Sequence, residues 1–316
     1  MGPVGNWSES RERGTWGLLS ASNRPRAASE PGLAWGRACA WLAGVVPLLI
    51  GCWRVAEHAQ WTGDLATLRA VGWVPVSISG WVSAWLAQLT LPLPVGTLPM
   101  RLGLVGSLGA GAAGLGAYHL GRQLLAANAH TPRLGPVLAL TGSWLAVLGP
   151  TWQLDAAVPG ASTVAAALFL WTYLAGGGDS EPRTWLLWGG GVGLAALESP
   201  WVGLALFVAL LLRRALGRSL PSARQVGLAT VAGLVAPMLA LVPLLFGVGR
   251  DGAWASLALA SAKGIAGDLP LAFKGLERWW LEPGVLGTLT AVAGLLWGLI
   301  KPALRRVLVP LLPAVA

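Results

Sequence analysis

Residues 226–248 read VGLATVAGLVAPMLALVPLLFGV, a run without a charged residue. Apolar side chains fall on every side of a 3.6-residue repeat, so no face is left for water. The run matches the roughly 20 residues that cross a bilayer as helix. In lipid every backbone N–H and C=O must find its partner within the protein, which leaves helices or a closed barrel. A barrel would alternate apolar and polar residues in short segments, and this run does not. Working outward, similar runs lie at 38–53, 102–121, 137–150, 156–175, 185–197, 201–212 and 285–300, and 303–316 starts another. The fold class expected is therefore all-α, a polytopic integral membrane protein of about eight or nine spans.

Composition agrees. The chain is 55% hydrophobic and 11% charged, with a mean hydropathy of +0.64, where a soluble chain is roughly a quarter charged. The net charge of +9 points to basic loops that set topology rather than to nucleic acid, because no basic patch sits on a soluble domain. Cys39 and Cys52 share the first apolar run on one helix, too far apart to bridge to each other, and no metal-ligand spacing exists. No cofactor is expected.

Residues 1–36 are polar and read as a cytoplasmic disordered tail, followed by a transmembrane helical domain over 37–316. The run at 38–53 reads as an uncleaved anchor, since the tail is long for a signal peptide and no small-x-small cleavage site follows. The stretch 185–212 splits at Glu198-Ser199-Pro200, where a carboxylate and a helix-breaking proline interrupt it. With the tail inside and the spans alternating, only Arg54, Arg69, Arg101, Arg250, Lys263, Lys274 and Arg278 fall outside, and the larger share of Lys and Arg falls inside. That is the bias membrane proteins carry. A single span over 185–212 would put the cluster at Arg213, Arg214, Arg218 and Arg224 outside and weaken it. The expected location is the cell (inner) membrane, multi-pass, with long outer loops at 54–101 and 249–284.

The carboxylates show the complement. Asp64, Asp155 and Glu198 come from three separate loops or span ends, all on the outer face. Carboxylates near membrane depth are costly and mark sites, while solvated loop residues are the plainer reading. Nineteen tryptophans, among them Trp53, Trp73, Trp81, Trp85 and Trp152 at expected interfaces, read as an aromatic belt. Stacking on a sugar is the functional alternative. The outer loop is moderately apolar over 70–95, which suits a helix lying in the outer interface. A hairpin or an extra span competes with it. Glycines at small-x-x-x-small spacing, Gly189 and Gly193 and the series Gly103, Gly106, Gly109, Gly111 and Gly114, mark close helix packing.

Four stretches carry a resemblance. Gly63-Asp64-Leu65-Ala66-Thr67-Leu68 follows the first span. Leu93-Pro94-Val95-Gly96-Thr97-Leu98-Pro99-Met100-Arg101-Leu102-Gly103-Leu104 leads into the second. Gly149-Pro150-Thr151-Trp152 makes a turn before an Ala-rich return helix, and Glu198-Ser199 ends a later span. Over roughly 38–250 this order resembles the GT-C-fold membrane glycosyltransferases, specifically the bacterial domain-of-unknown-function relatives of the transmembrane protein O-mannosyltransferases. Their patterns are Gly-Asp-x-x-Glu-Leu, Leu-Pro-x-Gly-x-x-x-x-Arg-x-Asn-Leu, Ser-Pro-Thr-x-Trp and Asn-His at these places. The resemblance implies sugar transfer from a lipid-phosphate-linked donor to a protein or glycan hydroxyl at the extracytoplasmic face. Asp64 occupies the place of the family's catalytic acid and would be the general base. Arg101 would hold a donor phosphate oxygen; as a topology or interface anchor it needs no ligand. Asp155, Glu198 and His58 complete the candidate substrate contacts, His58 with a base role as its alternative.

The chain departs from the family where Thr67 replaces a carboxylate, Gly103 replaces an asparagine, and no histidine lies in 73–80. An inactive homologue, a non-catalytic membrane scaffold and a transporter component are the alternatives. Charges at one face and no clear internal repeat count against transport. The partners expected are the lipid-linked donor and membrane lipids, with no nucleic acid.

Overall fold

The computed structural model describes residues 31–57, 80–94, 96–126, 134–157, 162–176, 182–216, 221–247 and 284–314. Among these every regular element is helical: α1 (Pro31–Glu57), α2 (Trp81–Thr90), α3 (Leu98–Ala126), α4 (Gly135–Val147), α5 (Pro150–Asp155), α6 (Ser162–Ala175), α7 (Pro182–Glu198), α8 (Pro200–Leu216), α9 (Ala223–Gly247), α10 (Gly284–Ile300), α11 (Pro302–Leu308) and a closing 3-10 turn, Val309–Ala314. Proline opens α1, α5, α7, α8 and α11. Its fixed φ suits the first helical position, where its missing N–H costs nothing. The chain breaks at Ser199 alone, between Glu198 and Pro200. α1 begins inside the stretch read from the sequence as tail, and within the run at 156–175 the described helix is α6, from Ser162 onward.

Side-chain neighbours fix the direction of each helix. Tyr118 on α3 donates its hydroxyl to the Gly36 carbonyl on α1 at 2.8 Å, while Ser107, earlier on α3, lies against Gly51, later on α1. The two helices are antiparallel. Ser143 on α4 donates to the Gly114 carbonyl at 2.6 Å, and Ala139 lies against Gly121, so α4 runs back along α3. Thr163 on α6 donates to the Gly106 carbonyl at 3.0 Å and Trp171 to the Ala112 carbonyl at 2.9 Å, so α6 runs parallel to α3. In the α7–α8 hairpin Gly203 faces Ala196 near the join, and the Arg214 guanidinium lies 4.7 Å from the Trp185 ring centre at the open end. The bundle thus goes up and down, with α2 at one end.

Missing side chains allow the closest contacts. A Cβ at Gly189 would overlap the Ala229 carbonyl of α9, and one at Gly114 the Ala43 carbonyl of α1. These are among the glycines whose spacing marked packing, and they bring backbone onto backbone. Small residues fill the seams, such as Ala43 and Ala113, both 0% exposed. The outside of the bundle carries many apolar side chains. Large apolar side chains point away from the bundle, with Trp41 71%, Leu145 79% and Ile300 74% exposed. By length and composition one described helix, over Ala34–Val55, is long and apolar enough to cross a membrane; Gly135–Val147, Ser162–Ala175 and Ala291–Ile300 are apolar but shorter.

Candidate functional site

α2 is the element that draws the candidate residues together. Its ten residues cover about 15 Å at 1.5 Å per residue, half the thickness of a bilayer core. A helix so short does not hold itself together in water. It is seated against α3, α7 and α9. Val82 and Ala87 join Leu102 and Val105 of α3 and Val164 of α6 in one apolar cluster. The sequence suggested a helix lying on the interface; instead Trp81, Val82, Ser83, Ala87 and Thr90 are all buried. The reason is composition. Small and apolar residues occur on more than one side of WVSAWLAQLT, and among its described side chains Leu89 is exposed while Trp85 and Leu86 are half-buried.

Burying a short helix leaves its unpaired terminal N–H and C=O groups to be satisfied. Glu198, the last residue of α7 and 4% exposed, serves the N-terminal end. Its backbone carbonyl accepts the Gly80 N–H at 2.7 Å. Its carboxylate accepts the Ser83 N–H at 2.9 Å, the Ser83 hydroxyl and the Val82 N–H. A carboxylate here also faces the positive end of the helix dipole. Gly80 turns the chain into α2 with φ +86°, in the left-handed region that glycine enters without a Cβ clash. Arg101 serves the other end. Its Nη1 donates to the Leu91 carbonyl at 2.6 Å and the Leu93 carbonyl at 3.3 Å, while its Nε is buried without a partner. Opposite charges from α7 and α3 thus hold the two ends of one helix, each against the dipole end that favours it.

Asp155 closes α5 and accepts a hydrogen bond from the Ser162 hydroxyl at the start of α6. The next carbonyl, of Ala156, accepts from Ser107 of α3 at 3.0 Å. A Cβ at Gly103 would lie 2.7 Å from the Ala157 carbonyl and 2.9 Å from Val55 of α1. Arg101, Asp155, Glu198 and the end of α1 therefore share one end of the bundle, with Glu198 and Arg101 engaged by α2 and Asp155 half-buried. Asp64 and His58 lie outside the described residues; the segment that carries them, 58–79, leaves from α1 and returns at Gly80. No cluster of three His, Cys, Asp or Glu residues suited to a metal occurs among the described residues, and Cys39 and Cys52 are free thiols.

The sequence does not mark Ser83 or Gly80 as site residues. Ser83 stands 115 positions from its carboxylate partner, so no local spacing reveals the pair. Charge separates by end. Among the described residues Arg54 and Arg101 belong to the α2 end, whereas Arg122, Arg183, Arg213, Arg214 and Arg224 sit near helix ends on the opposite side.

No family model, curated protein or solved structure matches the chain.

Proposed function

We propose that the protein is a multi-span membrane protein with its N-terminus in the cytoplasm. At the extracytoplasmic face, which is the α2 end, it transfers a sugar from a lipid-phosphate-linked donor to a protein or glycan hydroxyl. The apolar side chains that point away from the bundle support a lipid setting, since soluble monomers rarely expose continuous apolar surface. The basic residues gathered at the opposite end support the sidedness. The observation that carries the reading is that Arg101, Asp155 and Glu198 lie at the end of the bundle from which segment 58–79 departs.

In this reading Asp64 is the general base. It takes the proton of the acceptor hydroxyl as that oxygen bonds to the anomeric carbon, and the bond from that carbon to the donor phosphate oxygen breaks, the electron pair leaving with the phosphate. Glu198 and Arg101 are positioning residues. They fix α2, and through Gly80 the point where segment 58–79 rejoins the bundle. Asp155, with more access to solvent, is the substrate contact among the described carboxylates.

The test is transfer of labelled sugar from polyprenyl-phosphate donors in membranes that carry the wild type or Asp64→Asn at equal protein levels. Loss of transfer by about a hundredfold or more, the range for a general base, is expected in the variant. Equal transfer by both would move catalysis elsewhere. A second reading, a non-catalytic scaffold in a glycan-assembly machine, has one observation in its favour: both carboxylate oxygens of Glu198 and Nη1 of Arg101 already have partners inside the protein. No transfer by either protein across several donors would select it.

A further inference from the structure

We propose that the corner between α10 and α11 binds the headgroups of anionic phospholipids; this rests on the membrane reading above, though not on sugar transfer. Residues 284–314 contain no Asp or Glu. α11 folds back on α10. Leu304 is buried and, with Leu308, packs against Gly298, which leaves Arg305 and Arg306 exposed. Lys301 stands exposed at the corner with its Nζ 5.0 Å from the centre of the exposed Trp297 ring. Three cations thus project from one short stretch, and the carboxylates among the described side chains, at Asp155 and Glu198, both belong to the other end of the bundle.

The corner is fixed in place. The Tyr173 hydroxyl of α6 donates to the Val307 carbonyl at 2.9 Å, and Val307 and Leu311 pack on the cluster around Tyr173 and Leu210. Arg213, by contrast, donates inward to the Tyr173 carbonyl. Below the cations α10 presents an exposed apolar strip of Leu289, Leu296, Trp297 and Ile300. Cations above an apolar strip, with an indole at the boundary, match a phospholipid: phosphate against Arg and Lys, acyl chain along the helix, ring in the headgroup layer. An acidic soluble protein would satisfy the cations and leave the strip uncovered.

The full-length protein is captured in mixed micelles that hold equal amounts of phosphatidylglycerol and phosphatidylcholine, and the retained lipids are weighed by mass spectrometry. The wild type is expected to favour phosphatidylglycerol by at least about fivefold, the effect of one cation beside an anionic surface. Lys301→Gln with Arg305→Gln and Arg306→Gln is expected to lose most of that preference. Arg305→Lys with Arg306→Lys is expected to keep it, which separates lost charge from lost fold. Equal retention of the two lipids by the wild type, or a preference that survives the triple glutamine change, overturns the proposal. Flotation with phosphatidylcholine vesicles distinguishes the two levels of failure. A chain that does not float refutes the membrane reading and the proposal with it, whereas one that floats without headgroup preference refutes the proposal alone.

Discussion

Replacing Glu198 with alanine removes the acceptor that the first turn of α2 relies on. Two backbone N–H groups, of Val82 and Ser83, lose a partner in a place closed to water, and the Ser83 hydroxyl loses its acceptor too. A lost helix cap costs about 1 kcal/mol, and an orphaned buried donor about 1–3 kcal/mol. The expected cost for the pair is about 3 kcal/mol, which makes local opening of α2 roughly a hundredfold more frequent. Glu198→Gln keeps one acceptor oxygen and nearly the same shape, and should cost about 1 kcal/mol, or roughly fivefold. Amide hydrogen exchange read by mass spectrometry measures this directly: peptides over 81–90 should exchange faster in that ratio, and peptides from the middle of α3 should not change. Unchanged protection of α2 in the alanine variant would refute the clamp. Equal loss of protection in all helices would refute its local character.

Arg101→Gln removes the contacts with the Leu91 and Leu93 carbonyls and should speed exchange of the same peptides by about tenfold, a cost of roughly 1–2 kcal/mol; no change would leave Arg101 free for a ligand. Gly203→Val forces a side chain into the α7–α8 seam, where a Cβ would lie 2.5 Å from the Ala196 Cα. It should cost about 2 kcal/mol or more in a thermal melt, whereas Gly227→Ala, with nothing within 4 Å, should leave the melt within about 0.5 kcal/mol. Equal effects at the two glycines would deny the close seam. A phosphatase fused after Leu216 should be inactive in the cytoplasm and one fused after Gly247 active outside; the opposite pattern would invert the proposed topology.

What could be read in advance follows from local chemistry. The α7–α8 break was written in Glu198-Ser199-Pro200, because proline cannot continue a helix and opens the next one well. Glycine spacing named the faces of α3 and α7 that meet α1 and α9, since absence of a side chain is itself a local property. The clamp on α2 was not legible. Arg101 reads as an interface anchor and Glu198 as a span-end carboxylate until the fold sets them at the two ends of one helix. Trp81 suffered likewise: its place in a polar-flanked loop suggested the headgroup layer, and only the packing of α2 puts it at 5% exposure. For Asp64 and His58 the sequence remains the ground of the reading.

With Ser199 alone between α7 and α8, a chain emerging from the ribosome offers no loop in which the first of these helices could be oriented before the second arrives. Each has 17 residues, short of the roughly 20 that span a bilayer singly. In a bilayer the two would enter together as a doubled-back pair, with Glu198 at the leading tip and Arg183, Arg213 and Arg214 trailing. In the proposed topology that tip is the carboxylate that caps α2, an element made earlier in the chain.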